Sequence, residues 1–312
     1  MSSEIDKRPA LPVICGATAV GKTALALQLA EEFDGEIISA DSRQVFRLMD
    51  IGTAKPTAEE QQRARHHLID VAWPDEEFNA AHFLTHAEPA INDIMQRGKR
   101  PLLVGGTGLY IKALTEGLLE APSADQALRD HLHARAEDEG RAALHEELAR
   151  VDPESAARLH PNDLLRIVRA LEVYEQSGRP LSALQDDHGF RSQPYRTIKI
   201  CLNLERDLLY QRINRRAVVM LEQGLLEEAE SLLKAGYDPA LKTLRTIGYR
   251  QAFALLKGEM SYAEALDSLQ QSTRRYAKQQ LTWFRKDKSM IWLESSDDFV
   301  TIRELIDEFY CI

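Results

Sequence analysis

Short apolar runs alternate with longer amphipathic stretches rich in Ala and Leu over the first third of the chain. The apolar runs predict strands and the stretches between them predict helices. The predicted strands are 12–15, 36–40, 67–71 and 101–104, and the predicted helices are 22–33, 80–97 and 109–119. This alternation is typical of a parallel sheet with helices on both faces.

The pattern changes at about residue 120. Between there and residue 196 the β runs disappear, and a helical periodicity broken by prolines replaces them. A further strand is predicted at 197–204, followed by helices to the end of the chain. We therefore expect a core in two parts, residues 1–118 and 197–312, with a helical insertion domain at 119–196.

Residues 16–23 match the phosphate-binding loop pattern G-x-x-x-x-G-K-[ST], between the first predicted strand and the first predicted helix. The loop consists of Gly16, Ala17, Thr18, Ala19, Val20, Gly21, Lys22 and Thr23. Its backbone N–H groups and Lys22 favour a polyphosphate, and the Thr23 hydroxyl is a candidate ligand for Mg²⁺. The predicted fold class is α/β, with a P-loop NTPase-like parallel sheet flanked by helices. The pattern alone does not say which polyphosphate is bound.

Two further segments put polar groups at the edge of the sheet that carries the loop. Asp41 follows the second strand, and its carboxylate suits either a base or metal partner, or a helix N-cap with Gln44 three residues on. Thr107 lies in a glycine-rich turn after the fourth strand, where a kinase would have an acid. Asp70, at the end of the run 68–70, is the candidate for a magnesium-binding acid.

The composition of the chain limits the kinds of partner that it can bind. The net charge of −10 argues against nonspecific coating of nucleic acid. However, Arg274, Lys278 and Arg285 fall on one face of a predicted helix and form a basic stripe, which is either a solvated helix face or a surface for a polyanion. Neither a secretory signal nor a membrane span is recognisable, so we expect a cytoplasmic protein with no membrane partner.

Several segments occur in the order seen in bacterial tRNA dimethylallyltransferases, a family that the chain resembles over about residues 11–285. Besides the phosphate loop, the matching segments are 40–46, 49–56, 102–110, 160–163, 169–174, 245–250 and 277–283. The resemblance implies transfer of a dimethylallyl group from dimethylallyl diphosphate to the exocyclic N6 amine of the adenosine 3′-adjacent to the tRNA anticodon. It also implies diphosphate release, a Mg²⁺ cofactor and a monomer that binds the anticodon stem-loop.

The resemblance also implies residue roles. Asp41 accepts the proton of the amine, Thr18 and Thr107 lie at the reaction centre, and Arg216 joins the loop in binding the diphosphate. Arg216 could equally be one more arginine on an exposed helix. The implied tRNA-contacting residues are Asp41, Ser42, Arg43, Gln44, Thr107, Arg129, Leu165, Arg166, Ile167, Val168, Arg169, Arg245, Thr246, Ile247, Gly248, Tyr249, Arg250, Arg274, Lys278 and Arg285.

Two other functions compete with this interpretation. A small-molecule or nucleoside kinase would use the same loop for ATP, but the glycine-threonine turn at 105–108 and the lack of an arginine-rich lid disfavour it. A noncatalytic RNA-binding protein with an inactive loop is disfavoured because Lys22, Thr23 and Asp41 are intact.

Overall fold

The computed structural model describes residues 6–189, 192–294 and 299–311. The chain divides into two compact units. The core unit comprises Met1–Thr115 and Pro194–Ile312, and the helical unit comprises Glu116–Gln193.

A parallel sheet forms the centre of the core unit. Its strands are β1 (Val13–Gly16), β2 (Gly35–Ala40), β3 (His66–His67), β4 (Arg100–Gly105), β5 (Lys199–Leu202) and β6 (Ile291–Leu293), in the order β3-β2-β4-β1-β5-β6. All neighbouring strands are parallel. Parallel strands end at one edge of the sheet, so the loops that follow β1, β2 and β4 lie side by side. The predicted α/β fold is confirmed.

Helices account for most of the remaining described chain. They are α1 (Lys22–Glu32), α2 (Ala58–Arg63), α3 (Ala80–Gln96), α4 (Gly108–Glu116), α5 (Gln126–Asp138), α6 (Arg141–Val151), α7 (Pro153–Arg158), α8 (Leu164–Ser177), α9 (Leu181–His188), α10 (Arg206–Glu222), α11 (Leu225–Lys234), α12 (Tyr249–Leu256), α13 (Tyr262–Phe284) and α14 (Phe299–Cys311). Across the described ranges, no helix combines the length and apolarity needed to cross a bilayer.

The core unit is held together by apolar side chains from both ends of the chain. Ile14 of β1, Leu29 of α1, Ile200 of β5 and Ile302 of α14 belong to one buried cluster. Burial of each such side chain contributes about 1.5–3 kcal/mol. The first strand is therefore fixed by residues that come late in the sequence.

The structure corrects the sequence-based elements at two places. The strand predicted at 67–71 is wrong, because β3 ends at His67 and the backbone of Leu68 and Asp70 is left-handed, with φ of 63° and 56°. The prediction of helices alone after residue 204 is also wrong. β6 adds a short edge strand that pairs Ile291 with Ile200.

A buried ion cluster holds the helical unit together. The carboxylate of Glu172 on α8 is fully buried and accepts two hydrogen bonds from Arg129, at 2.9 and 3.0 Å, and one from Arg169, at 2.5 Å. Burial alone would raise the pKa of Glu172, but the two arginines outweigh it and keep the pKa below its usual value. Glu172 thus remains charged inside the unit.

We expect Arg129→Ala to destabilise the helical unit by about 3–5 kcal/mol, because it strips a bidentate partner from a buried carboxylate. Urea unfolding, together with amide exchange in α5 and α8, measures the effect. Arg141→Ala, at an exposed position of the same unit, is the matched control and should change stability little. If the two variants unfold alike, the ion cluster does not stabilise the unit.

Candidate active site

The phosphate-binding loop connects β1 to α1 and is stabilised by its own lysine. The Lys22 ammonium donates to the carbonyl oxygens of Gly16, at 3.0 Å, and Ala17, at 2.8 Å. Gly16 has φ of 143°, and a Cβ there would lie 2.7 Å from the carbonyl oxygen of Leu202 in β5. Burial lowers the pKa of Lys22 to about 8. Contacts within the chain thus stabilise the conformation of the loop.

Arg216 of α10 points at this loop. Its guanidinium donates to the Thr18 hydroxyl. Burial lowers the pKa of Arg216, while the charge of Asp41 acts in the opposite direction. These contacts do not fit the alternative of an arginine on an exposed helix face. Arg216 and Lys22 together supply two cations at one end of the site.

Asp41 follows β2 and is held by the turn that it begins. Its Oδ1 accepts hydrogen bonds from the backbone N–H groups of Arg43, at 2.8 Å, and Gln44, at 3.3 Å. Residues 41–48 form turns instead of a helix, so the carboxylate caps a turn and the helix N-cap alternative is wrong. Both of these hydrogen bonds end on Oδ1. Among the described residues Oδ2 has no such partner, so it is available to accept a proton.

Thr107 connects the loops after β2 and β4. Its hydroxyl accepts a hydrogen bond from the N–H of Ser42 at 3.0 Å, and its own N–H donates to the carbonyl of Ala40 at 3.1 Å. Thr107 therefore fixes the backbone on both sides of Asp41.

Two cavities of the core unit meet at Asp41. The loop cavity, of about 320 Å³, is lined by Lys22 and Thr23. The second, of about 440 Å³, is named here the basic cavity, and its basic lining residues are Arg43, Arg216, Lys242, Arg245 and Arg250. Thr18, Asp41, Thr53 and Arg216 line both cavities. The basic cavity also has an apolar wall made by Ile213, Ala217, Met220 and Leu269. Cationic and acidic groups of the site thus border a shared space.

The structure places the predicted tRNA-contacting residues of the core unit in different surroundings. Lining the basic cavity are Ser42, Arg43, Arg245, Thr246, Ile247 and Arg250. Tyr249 does not fit the prediction, because it is fully buried and its hydroxyl donates to Glu228 at 2.6 Å. Gln44 lies on the loop cavity, with its amide hydrogen-bonded to Ser39 and to the carbonyl of Ala54. Gly248, with φ of 96°, lets the chain turn beside Gly52.

The predicted tRNA-contacting residues of the helical unit include both exposed and buried side chains. Leu165 and Arg166 are exposed, with Leu165 at 74%. The prediction is wrong for the side chains of Ile167 and Val168, which pack inside the unit. Arg129 and Arg169 both form ion pairs with the buried Glu172, so these side chains stabilise the helical unit.

Asp70, the acid that the sequence predicts as a magnesium ligand, pairs with a buried lysine. Its carboxylate accepts a hydrogen bond at 2.6 Å from Lys55, whose side chain is 3% exposed and also pairs with Asp50. A buried ammonium requires such partners. Asp70 therefore neutralises Lys55. It also lines a further cavity of about 720 Å³ together with Thr23 and Arg216, so its role as a magnesium ligand stays a prediction.

Two residues of the site escaped sequence reasoning. Glu228 of α11 accepts hydrogen bonds from the backbone N–H groups of residues 50–52, at 2.8–2.9 Å, and so fixes the loop that carries Thr53. Gln280 of α13 hydrogen-bonds to the phosphate loop. Glu228 lies in a helix with many similar polar residues. Gln280 lies in the matching segment 277–283, which does not show which of its residues contacts the loop, and the partners of both residues are distant along the chain.

Two cations support the phosphate loop, and a carboxylate lines both cavities beside it. This arrangement is typical of a P-loop protein that catalyses a transfer reaction on a phosphorylated substrate. A family model described as IPP transferase matches residues 44–287. The chain is 52% identical to the tRNA dimethylallyltransferase 2 of Geotalea uraniireducens, over 96% of this chain and 97% of that protein. It is likewise 52% identical to the tRNA dimethylallyltransferase of Geobacter metallireducens, over 98% and 99% of the two chains.

Solved structures agree with this assignment. The full-length tRNA isopentenylpyrophosphate transferase of Bacillus halodurans has a TM-score of 0.72 and 40% identity, over 97% of each chain. A eukaryotic dimethylallyltransferase acting on tRNA has a TM-score of 0.78 and 28% identity, over 92% of this chain and 74% of that one. The chain belongs to the IPP transferase family, and the kinase alternative is not favoured.

Proposed function

We propose that this protein transfers a dimethylallyl group from dimethylallyl diphosphate to the N6 amine of the adenosine 3′-adjacent to the anticodon of tRNA, releasing diphosphate. The observation that carries the proposal is the position of Asp41, which lines both the loop cavity and the basic cavity. A diphosphate held by the loop and a base held in the basic cavity would meet beside this carboxylate. Family membership supports the same reaction.

The reaction forms one C–N bond and breaks one C–O bond. The N6 lone pair attacks C1 of the allyl group, and the electrons of the breaking bond go to the diphosphate oxygen. Lys22 and Arg216 stabilise the charge that grows there. Asp41 takes the proton from the attacking amine, which is a poor nucleophile while its lone pair is delocalised into the ring.

We propose Mg²⁺ as the cofactor, with Thr23 as its protein ligand. Mg²⁺ retains several waters and uses substrate phosphates as ligands, so a single hydroxyl at the loop suits it. Thr23 lines the loop cavity, which fits this role. When bound, the ion would neutralise part of the diphosphate charge.

We propose that the tRNA anticodon stem-loop lies along the basic surfaces of the chain. Support comes from Arg43, Arg245 and Arg250 at the basic cavity and from the exposed Lys278 and Arg285 on the stripe. We also propose a monomer as the active species. The tRNA substrate supports a cytoplasmic location.

The test is to incubate the protein with Mg²⁺, unmodified tRNA and either dimethylallyl diphosphate or ATP. Mass spectrometry of the digested tRNA should show one added dimethylallyl group on the adenosine that follows the anticodon, and diphosphate should be released in equal amount. Nucleotide-dependent phosphorylation without prenylation would overturn the proposal in favour of a kinase.

The basic stripe gives a separate expectation. Lys278→Ala and Arg285→Ala should each weaken binding of different substrate tRNAs to a similar degree, because a phosphate contact carries no base identity. Each should also reduce the slope of log K against log salt by about 0.7–0.9. Fluorescence anisotropy with labelled tRNA at several salt concentrations measures the slope.

Lys234→Ala is the matched control, since Lys234 is an exposed lysine of α11 outside the stripe. Arg274→Ala is less informative, because the Arg274 guanidinium also donates to Asn214 at 2.6 Å and its loss would disturb α10. Unchanged slopes in both stripe variants would show that the stripe is an ordinary solvated helix face.

A further inference from the structure

Gln280 is a buried glutamine whose amide connects two loops of the active site. It lies on α13 and is 6% exposed. Its Oε1 accepts a hydrogen bond from the Thr18 N–H at 2.8 Å, and its Nε2 donates to the Gly106 carbonyl at 2.9 Å. Because one partner is a donor and the other an acceptor, the orientation of the amide is fixed. No smaller polar side chain could span both.

The glycine turn after β4 is shaped to receive α13. A Cβ on Gly106 would lie 2.3 Å from the Gln280 Nε2, and a Cβ on Gly108 would lie 2.1 Å from the Trp283 ring. Such distances are too short for any real side chain. Gln280 and Trp283 are three residues apart on α13, so one face of this helix lies directly against the turn.

The two partners of Gln280 lie in different parts of the active site, one in the phosphate loop and one in the turn beside Asp41. At the phosphate end, Thr18 also binds Arg216 through its hydroxyl. At the acceptor end, Gly106 precedes Thr107, whose hydroxyl binds the N–H next to Asp41. A continuous path of hydrogen bonds and covalent backbone thus runs from Arg216 through Gln280 to the turn that holds Asp41.

We propose that Gln280 is a positioning residue that sets the separation between the diphosphate-binding loop and Asp41. The inference rests on the proposed prenyl transfer, in which donor carbon, leaving oxygen and attacking nitrogen must be aligned. Misplacement by about 1 Å is enough to cost about 10²-fold in rate. Gln280 lines neither the loop cavity nor the basic cavity, and in this proposal it acts through Thr18 and Gly106.

The experiment compares Gln280→Leu and Gln280→Glu with the wild-type full chain. Leucine removes both hydrogen bonds. Glutamate has the same size and keeps the acceptor for Thr18, and when ionised, at the high-pH end of the assay range, it loses the donor to Gly106. Single-turnover prenylation at saturating dimethylallyl diphosphate and tRNA should slow by about 10²-fold for leucine and by less for glutamate. The Kd for dimethylallyl diphosphate and the KM for tRNA should stay within about threefold of wild type.

Gln279→Leu is the matched control, because Gln279 is the preceding residue on α13 and is exposed. A merely structural role would lower Tm and the folded fraction without slowing turnover per folded molecule. A double-mutant cycle with Thr107→Ala adds a second criterion. Both changes interrupt one path, so their combined effect on the rate should be clearly smaller than the product of the single effects.

The outcomes are separable. If wild type transfers no prenyl group, the proposed function is overturned and the inference with it. If wild type is active and both Gln280 variants keep single-turnover rates within about twofold of it, the inference alone is overturned. Should the leucine variant fail to fold, the isosteric glutamate variant decides.

Discussion

Asp41→Asn should lower kcat by roughly 10²–10⁴-fold while the Kd for dimethylallyl diphosphate changes little. Asparagine keeps an oxygen to accept from the N–H groups of Arg43 and Gln44, so the turn survives and the loss reports the missing base. Asp41→Ala should lose at least as much activity, since it removes the base and the turn cap together. Steady-state prenylation of tRNA and calorimetric titration of the donor give both quantities.

Asp75→Asn, at an exposed position, is the control for a change of one charge and should behave as wild type. Near-normal turnover in Asp41→Asn would remove this carboxylate from proton transfer. A large rise in the Kd for the donor would instead assign Asp41 to the diphosphate site.

Lys22→Ala should reduce kcat/KM by about 10²–10³-fold, because the ammonium faces charge that increases as the C–O bond breaks. Both donor binding and the rate of the chemical step should fall. Lys99→Ala, which removes a lysine paired with Asp34 at the surface, is the matched control. Weaker donor binding with an unchanged single-turnover rate would mean that Lys22 only holds the substrate.

The same lysine predicts a pH dependence of donor binding. Burial lowers the pKa of Lys22 to about 8, so its positive charge is present below that pH and is lost above it. Affinity for dimethylallyl diphosphate should therefore decrease as pH rises from about 7 to about 9. Lys22→Arg should flatten this dependence, because a guanidinium stays charged. A wild-type profile that is flat over this range would contradict the assignment.

Sequence patterns predict the central strands well because these strands are buried on both faces. The runs at 12–15, 36–40 and 101–104 correspond to β1, β2 and β4 within one residue at each end. The run at 67–71 failed because Leu68 and Asp70 adopt left-handed backbone, which apolar spacing does not reveal. β6, three residues long at the sheet edge, is too short to produce a recognisable pattern.

The sequence likewise predicts some residues of the candidate site and misses others. The phosphate loop is a contiguous motif, so its geometry follows from local sequence, and Asp41 is positioned by the strand before it. Gln280 and Glu228 could not be found in this way, because each holds backbone groups more than 170 residues away. Tyr249 lies in a segment shared with the family, and Ile167 and Val168 lie just before another, but the side chains of all three face the interior. A matching segment does not distinguish residues that touch a substrate from those that support them.

The position of β1 in the sheet has a consequence for synthesis on the ribosome. β1 lies between β4 and β5, and Gly16 pairs with Leu202, so the strand that leads into the phosphate loop lacks one neighbour until the whole helical unit has been made. The Thr18 N–H acquires its glutamine partner later still, when α13 emerges. The first functional segment to be translated is thus among the last to reach its final form, and a nascent chain that stops before α13 has an incomplete site for the donor.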